Sequence, residues 1–184
     1  TVGSNTLKEL EEFLDNRDSP IHLIGLSLGA LIATVLVKRY PTLVTSLHLM
    51  SCRPSYPSAE IHAVRQGLEK LGRGYLQHFF KACFTNKDDW LQFKGKDFIA
   101  EGNSDSDLYW GLDYLEDCPL EIPETTNHEI HVYHGKADRI APIEESQLFW
   151  KAAQKMIKID CYKGGHLASK GNGVRLKLKS KKKA

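Results

Sequence analysis

The sequence contains no long hydrophobic run and little cysteine. Its longest apolar stretch, around residues 30–37, is far too short to cross a bilayer, and no signal peptide is recognisable. The cysteines, Cys52, Cys83, Cys118 and Cys161, lie far apart and form no C-x-x-C pair, which argues against a zinc site or a redox motif. We therefore expect free thiols, no metal site and a soluble protein of a reducing compartment, the cytoplasm.

Acidic residues are missing from the last part of the chain. Residues 170–184 hold seven lysines and arginines and no acid; removing these seven from the 25 basic residues leaves 18 against 23 acidic ones. A basic tail can touch nucleic acid or an anionic surface, but this one has no aromatic side chains that could stack on bases. We predict a solvated, disordered tail that binds neither membranes nor nucleic acid.

What is present is a chain of ordinary globular composition in which strands and helices alternate. It has 184 residues, 41% of them hydrophobic, which is enough for one sizeable core. Apolar runs predict strands at 21–26, 44–51, 129–133 and 157–162, the first of them buried on both faces. Apolar spacings of three and four predict helices at 6–16, 28–40 and 142–154. This order predicts an α/β fold, a parallel sheet with helices on both faces.

Residues 53–123 interrupt the alternation after the second strand. This insert holds eleven of the chain's seventeen aromatic residues. Its apolar spacing predicts one amphipathic helix through Ile61 and Leu68, for which Ser58 is the expected cap, and a second helix around residues 108–115. We interpret the insert as a helical lid over the edge of the sheet, in which most aromatic rings form the lid's own core and a few face a pocket.

A serine stands between two glycines where the first strand meets the following helix. Gly25, Ser27 and Gly29 match the pattern G-x-S-x-G in the strand–turn–helix context of a nucleophile elbow. Such a turn lifts the serine hydroxyl clear of the sheet, and we expect a side chain at position 25 or 29 to collide with the neighbouring backbone. The helix N-terminus favours a developing oxyanion, with the backbone N–H of Leu28 as its first donor.

A serine hydroxyl needs a base, and the base needs a group that orients it. Asp138 follows the third predicted strand, and His166 follows the fourth, where two glycines let the chain turn inward. The C-terminal ends of parallel strands share one edge of a sheet, so we expect Ser27, Asp138 and His166 to converge there. Their chain order, serine, acid, histidine, is that of the α/β-hydrolases. We expect His134, in the acid-bearing segment, to be structural.

These segments resemble the α/β-hydrolase superfamily over roughly residues 19–167. GLSLGA, HGKADRIAP and GGH carry the resemblance. LIGLSLGALIA, SCRPSYP and YWGLDYLEDCPL look most like the lidded serine carboxylesterases that include pimeloyl-ACP methyl ester esterase of biotin synthesis. The resemblance implies one α/β-hydrolase domain over residues 1–169, with a core of residues 1–52 and 124–169 and a lid of residues 53–123.

The resemblance implies a serine hydrolase that acts on a small or carrier-bound acyl ester or thioester. Ser27 would attack the carbonyl and His166 would move the proton. Asp138 would hold the imidazole, while the Leu28 amide would bind the oxyanion. No metal or organic cofactor is required. The alternative is a non-catalytic hydrolase-fold protein that binds a ligand or partner, and a third possibility is an interaction module built on the basic tail.

In the superfamily, several strands precede the nucleophile strand, and a loop among them gives a second oxyanion donor. Only residues 1–20 precede the first strand here, so we expect the N-terminal part of the fold to be absent from this chain, along with the final helix. We interpret the chain as a fragment, with completion by a partner as the alternative. The strand at 21–26 would then have an unpaired apolar edge, which favours pairing with a partner or self-association.

Overall fold

Four parallel strands form one sheet in the described part of the protein. The computed structural model describes residues 3–93, 105–121, 129–152 and 157–168. The strands are β1 Ile21–Leu26, β2 Val44–Met50, β3 Glu129–Gly135 and β4 Ile157–Tyr162, in the spatial order β1-β2-β3-β4. Every pairing is parallel. The predicted parallel sheet is therefore confirmed, and the predicted strand ends differ from these by at most two residues.

Seven helices accompany the sheet in the described residues. They are α1 Thr6–Asp15, α2 Leu28–Arg39, α3 Ser58–Leu71, α4 Gly74–Ala82, α5 Lys87–Gln92, α6 Asp105–Asp117 and α7 Ile143–Ala152. The helix α2 ends before Pro41 because a residue that precedes proline is pushed out of the helical conformation. The predicted cap at Ser58 is wrong: Ser58 is the first residue of α3, and Pro57 takes the cap position without a side-chain hydrogen bond. None of the described helices is long and apolar enough to cross a membrane.

The core lies on the face of the sheet to which Leu47 and Leu49 of β2 and Val132 of β3 point. These side chains are completely buried against α2, and α7 adds Trp150 to the same cluster. The helix α1 packs on α2 through Leu14. Burial of each such apolar side chain contributes about 2 kcal/mol, so this layer supplies much of the stability that positions the loops at the sheet edge.

The strand β1 is an edge strand within the described part of the chain. Its residues His22, Ile24 and Leu26 point away from the core, and Ile24 and Leu26 are 49% and 42% exposed. The prediction that this strand is buried on both faces is wrong, because no described element covers the face that carries these side chains. Its apolar run fits both a strand buried on two faces and an edge strand. Association of another chain at this edge stays a prediction.

The face of β2 and β3 opposite the core is polar and buried. Hydrogen bonds connect His22 Nδ1 to Ser46 Oγ (2.7 Å), Ser46 Oγ to His48 Nε2 (2.9 Å), and His48 Nδ1 to the Tyr133 hydroxyl (3.2 Å). The ring of His131 stacks on that of His48 with centroids 4.8 Å apart. Burial, reinforced by the neighbouring His131 and His22, lowers the pKa of His48 to about 4.

We expect His48 to make the protein less stable in mild acid. Its pKa is about 4 in the folded protein and 6.5 in an unfolded chain, so the unfolded chain binds more protons between these values and stability falls as the pH falls through that window. The loss between pH 7 and pH 5 is about 2 kcal/mol of unfolding free energy. Urea unfolding at both pH values measures it. A His48→Gln variant should lose this part of the pH dependence, and an identical dependence in both proteins would contradict the assignment.

The helices α3 to α6 lie between β2 and β3, where the lid was predicted. In this segment, α6 contacts both α3 and α2. The rings of Phe84, Trp90 and Phe93 lie within 6.2 Å of one another by their centroids, which is the predicted aromatic core of the insert. The division of the chain into core and lid domains stays a prediction. The predicted tail, residues 170–184, lies outside the described residues.

Candidate active site

Ser27 occupies the turn between β1 and α2 in a strained backbone conformation. Its φ is 53° and its ψ is −119°, a region that residues other than glycine rarely adopt. Its N–H donates to the Met50 carbonyl oxygen (2.9 Å), and its own carbonyl oxygen accepts from the Ala30 N–H (2.8 Å). The turn is thus fastened to both β2 and α2. A serine with positive φ between a strand and a helix has the geometry of a nucleophile elbow.

Of the two flanking glycines, only Gly25 is required by its surroundings. A Cβ at Gly25 would lie 2.4 Å from the Gly29 carbonyl oxygen and 2.6 Å from the Ala30 Cα, which are backbone atoms of α2. A Cβ at Gly29 would meet no atom within 4 Å. The predicted collision at position 29 is therefore wrong. Gly29 lies in the first turn of α2 with its missing side chain towards open space, whereas Gly25 lies directly against that turn.

Asp138 lies in the loop after β3, and both oxygens of its carboxylate are engaged. Oδ1 accepts hydrogen bonds from the backbone N–H groups of Ile140 and Ala141, each at 2.9 Å. Oδ2 accepts a hydrogen bond from Nδ1 of His166, also at 2.9 Å. The two backbone bonds orient the carboxylate, so the second oxygen is aimed at the imidazole. The structure therefore brings these two predicted site residues together, and both are more than nine-tenths buried.

Close backbone packing holds His166 in the turn after β4. A Cβ at Gly165 would lie 2.5 Å from the carbonyl oxygen of Cys83, the residue that directly follows α4. A Cβ at Gly135 would lie 2.1 Å from the carbonyl oxygen of Gly165. Gly165, one of the two glycines expected to turn the chain inward, thus also lets this turn pack against the lid and β3. The Nδ1–H bond to Asp138 selects the imidazole tautomer whose Nε2 is unprotonated, as a base requires.

Ser51, a residue to which the sequence assigned no role, also holds the turn that carries His166. It directly follows β2, is completely buried and has a φ of 49°. Its hydroxyl donates to the His166 carbonyl oxygen at 2.6 Å. The Tyr162 hydroxyl lies 3.1 Å from Ser51 Oγ and donates to the Gly165 carbonyl oxygen at 3.0 Å. The available signal was a polar residue at the C-terminal end of a buried strand.

Removing the Ser51 hydroxyl should loosen His166 without touching a reacting group. Ser51→Ala loses the hydrogen bond and keeps the strained φ, whereas Ser51→Gly loses the bond and relieves the strain. We expect both variants to lower kcat about fivefold, because each loses about 1 kcal/mol of positioning energy. Thermal unfolding should separate them, with the glycine variant melting at the higher temperature. An unchanged kcat in both variants would contradict this positioning role.

In the described residues, no hydrogen bond joins the Ser27 hydroxyl to the His166 ring. The Ser27 side chain interacts instead with the hydroxyl of Tyr56, which lies in the loop between β2 and α3. Catalytic serine–histidine bonds are often long or poorly aligned before substrate binds, so this geometry is compatible with a resting enzyme. All three predicted residues follow C-terminal ends of parallel strands, and the structure pairs two of them directly.

Solved structures with the same architecture identify the fold. An esterase from Exiguobacterium antarcticum matches with a TM-score of 0.73 at 17% identity, covering 87% of this chain and 65% of its own. A bromoperoxidase from Bacillus anthracis matches with a TM-score of 0.73 at 19% identity, covering 90% of this chain and 67% of its own. A serine hydrolase from Cycloclasticus zankles matches with a TM-score of 0.65 at 16% identity, covering 90% of this chain and 66% of its own. The chain has the α/β-hydrolase fold.

No family model and no curated protein matches the sequence. The hydrolase-fold chain spans 65% of the length of the Exiguobacterium esterase. At identities below 20%, these three likenesses establish the fold and leave the reaction open, as the presence of both an esterase and a bromoperoxidase among them illustrates. The α/β-hydrolase architecture that the motifs GLSLGA, HGKADRIAP and GGH predicted is confirmed.

Among the other polar residues, His134 supports the loop that carries Asp138, and two buried cysteines are unreactive at neutral pH. The buried His134 donates from Nε2 to the Ala141 carbonyl oxygen at 2.6 Å, which fits its predicted structural role. Cys52 and Cys83 are free thiols whose pKa burial raises to about 12, so neither supplies a thiolate at neutral pH. Within the ranges that the structure describes, no group of His, Cys, Asp and Glu is arranged to hold a metal ion.

Proposed function

We propose that this chain carries the catalytic residues of a serine hydrolase that cleaves a carboxylic ester or thioester through an acyl-enzyme. The observation that carries the proposal is the buried hydrogen bond of 2.9 Å between His166 and Asp138, at the sheet edge where the strained Ser27 also lies. A buried carboxylate–imidazole pair contributes little net stability, because desolvation of the charge opposes its attraction. Its position at the sheet edge that also carries a strained serine favours a chemical role over a purely structural one.

In the first half of the reaction, Ser27 Oγ forms a bond to the substrate carbonyl carbon while its proton passes to Nε2 of His166. The π-electron pair of the carbonyl moves onto oxygen. The N–H of Leu28, at the first position of α2, has no intrahelical acceptor and donates to this oxyanion. The dipole of α2 adds a favourable field at the same point.

In the second half, the oxyanion collapses and the bond to the leaving alcohol or thiol breaks. The leaving group takes the proton from Nε2 of His166. Water then attacks the acyl-enzyme by the same route and releases the acid, which restores the Ser27 hydroxyl. Throughout, Asp138 holds the imidazole in the required tautomer and stabilises its cationic form. The cycle consumes only substrate and water, so it requires no cofactor.

We propose a small or carrier-bound acyl ester as the substrate, as for pimeloyl-ACP methyl ester esterase, and action in the cytoplasm. The support is the lid, since its helix α6 lies beside the elbow: a Cβ at Gly111 would approach the Leu28 side chain to 3.4 Å. A helix in this position restricts the acyl groups that reach the serine. Hydrolysis of a pimelate monomethyl ester at a kcat/KM no higher than that of an acetate ester would contradict a pimeloyl-type acyl group and favour a shorter one.

Covalent labelling tests the hydrolase proposal directly. A fluorophosphonate probe should label the protein at Ser27, because only a serine activated by a base reacts with it. Ser27→Ala should abolish labelling and ester hydrolysis. Ser55→Ala, which removes the hydroxyl of an exposed serine, is the matched control and should react as the unaltered chain does. Failure of the unaltered chain to be labelled would contradict the proposal.

A non-catalytic hydrolase-fold protein that binds a ligand or partner is the second candidate. The observation in its favour is that Ser27 and His166 are not hydrogen-bonded to each other in the described residues. It predicts no labelling at Ser27, together with saturable binding of an acyl ester that survives in Ser27→Ala. Labelling at Ser27 would exclude this candidate.

A further inference from the structure

Tyr56 presents a buried phenolic hydroxyl that no hydrogen bond satisfies. The residue is 8% exposed, and its hydroxyl makes no hydrogen bond of normal geometry with the described residues. A buried hydroxyl without a partner costs about 1–3 kcal/mol, so native proteins keep few of them. An unpaired group of this kind is expected where it serves a ligand or a reaction.

The Tyr56 hydroxyl lies close to the side chain of the candidate nucleophile. The loop that follows β2 carries it to the sheet edge next to β1, and the Ser27 side chain is a polar group that interacts with it there. The two side chains are close enough to interact, although the Tyr56 hydroxyl makes no hydrogen bond of normal geometry. Tyr56 therefore lies within reach of an atom bonded to the carbon that Ser27 attacks.

An arginine that is itself held by two carboxylates packs against the Tyr56 ring. The guanidinium of Arg53 lies 5.2 Å from the ring centroid. Arg53 is itself held by Glu145, through two hydrogen bonds of 2.9 and 3.0 Å, and by Glu60 at 2.7 Å. These carboxylates belong to α7 and α3, so the phenol is fixed between the core and the lid. A donor fixed in advance needs no reorganisation when charge develops beside it.

We propose that the Tyr56 hydroxyl is a catalytic hydrogen-bond donor to the oxyanion formed at Ser27, acting together with the backbone N–H of Leu28. This assignment rests on the proposed serine-hydrolase function. Tyr56 keeps its proton during the step: the new bond joins Ser27 Oγ to carbon, the proton of Ser27 goes to His166, and the phenol only donates a hydrogen bond to the oxygen that becomes negative.

The chemistry of the phenol fits a donor rather than a base. Burial raises the pKa of Tyr56 to about 12, and the interactions with Ser27 and Arg53, which lower it, are outweighed. The group therefore stays protonated across the neutral range. A neutral donor in a site with little water stabilises an oxyanion more than the same group does in solvent.

The test compares Tyr56→Phe with the unaltered chain and with Tyr40→Phe. Tyr40 caps the far end of α2, and its hydroxyl bonds Asp15, so its variant controls for loss of a phenolic hydroxyl away from the site. The phosphonyl oxygen of a bound fluorophosphonate occupies the oxyanion position, so the second-order labelling rate reports on the donors there. We expect Tyr56→Phe to slow labelling and to lower kcat for an ester about a hundredfold, with KM changed less than twofold.

Stability separates this role from a structural one. Since the hydroxyl makes no hydrogen bond of normal geometry in the resting protein, Tyr56→Phe should melt at the same or a higher temperature, whereas Tyr40→Phe should melt slightly lower. Unchanged labelling and kcat in Tyr56→Phe, with the unaltered chain active, would overturn the assignment. A lower rate that comes with a lower melting temperature would also overturn it. An unaltered chain that is not labelled would instead contradict the hydrolase proposal itself.

Discussion

Gly25→Ala is expected to disrupt the elbow and to destabilise the protein by about 3 kcal/mol or more. The new methyl group would lie 2.4 Å from the carbonyl oxygen of Gly29 and 2.6 Å from the Cα of Ala30. These are backbone atoms of a helix that is packed into the core, so they cannot move aside without shifting α2. Urea unfolding measures the loss, and labelling of Ser27 should disappear with the displaced turn.

Gly29→Ala is the matched control for this change. It adds the same methyl group two residues after the serine, where no atom lies within 4 Å. Because alanine favours a helix over glycine, we expect stability to stay the same or to rise by about 0.5–1 kcal/mol. Equal destabilisation by the two substitutions would show that the close packing of β1 against α2 is not the reason for glycine at position 25.

Asp138→Asn is expected to reduce kcat about ten-thousandfold while leaving the fold intact. The asparagine oxygen can still accept from the Ile140 and Ala141 amides, so the loop keeps its shape. The amide nitrogen would then face Nδ1 of His166 and donate to it. This reverses the hydrogen bond and stabilises the tautomer whose Nε2 carries a proton, which cannot accept one from Ser27.

Steady-state hydrolysis of an activated ester measures this loss, and thermal unfolding shows whether the fold persists. Asp88→Asn makes the same chemical change at an exposed position of α5 and should leave kcat unchanged. A kcat within tenfold of the unaltered chain in Asp138→Asn would mean that the bond between Asp138 and His166 is structural. In that case the proposed triad would fail even if Ser27 reacted with the probe.

Local patterns predicted the elements that carry the site more accurately than the surroundings of the site. The strands Ile21–Leu26 and Ile157–Tyr162 match their predicted bounds, because short apolar runs next to Pro20 and before paired glycines delimit them. The exposed face of β1 was not predictable, since an apolar run does not reveal whether a neighbouring element is present. Gly29 was misjudged because its motif position says nothing about the direction of its missing side chain.

Ser51 and Tyr56 illustrate a different limit. Both lie in the loop after β2, within the segment SCRPSYP, whose resemblance did not indicate a role for either residue. The hydroxyl of Ser51 matters because the carbonyl of His166, 115 residues away in the chain, lies 2.6 Å from it. Tyr56 matters because the loop carries it next to Ser27. Contacts of this kind follow from strand order and loop path, which no local pattern encodes.

The amino-acid sequence alone specified the order of serine, acid and histidine and their places after the strands β1, β3 and β4, because apolar runs and glycine-bounded turns act over a few neighbouring residues. Three-dimensional packing decided the rest: which glycine is indispensable, which polar face is buried, and which hydroxyl groups meet the nucleophile and the histidine turn. Those outcomes depend on distances between segments remote in sequence, and such distances exist only once the sheet has assembled.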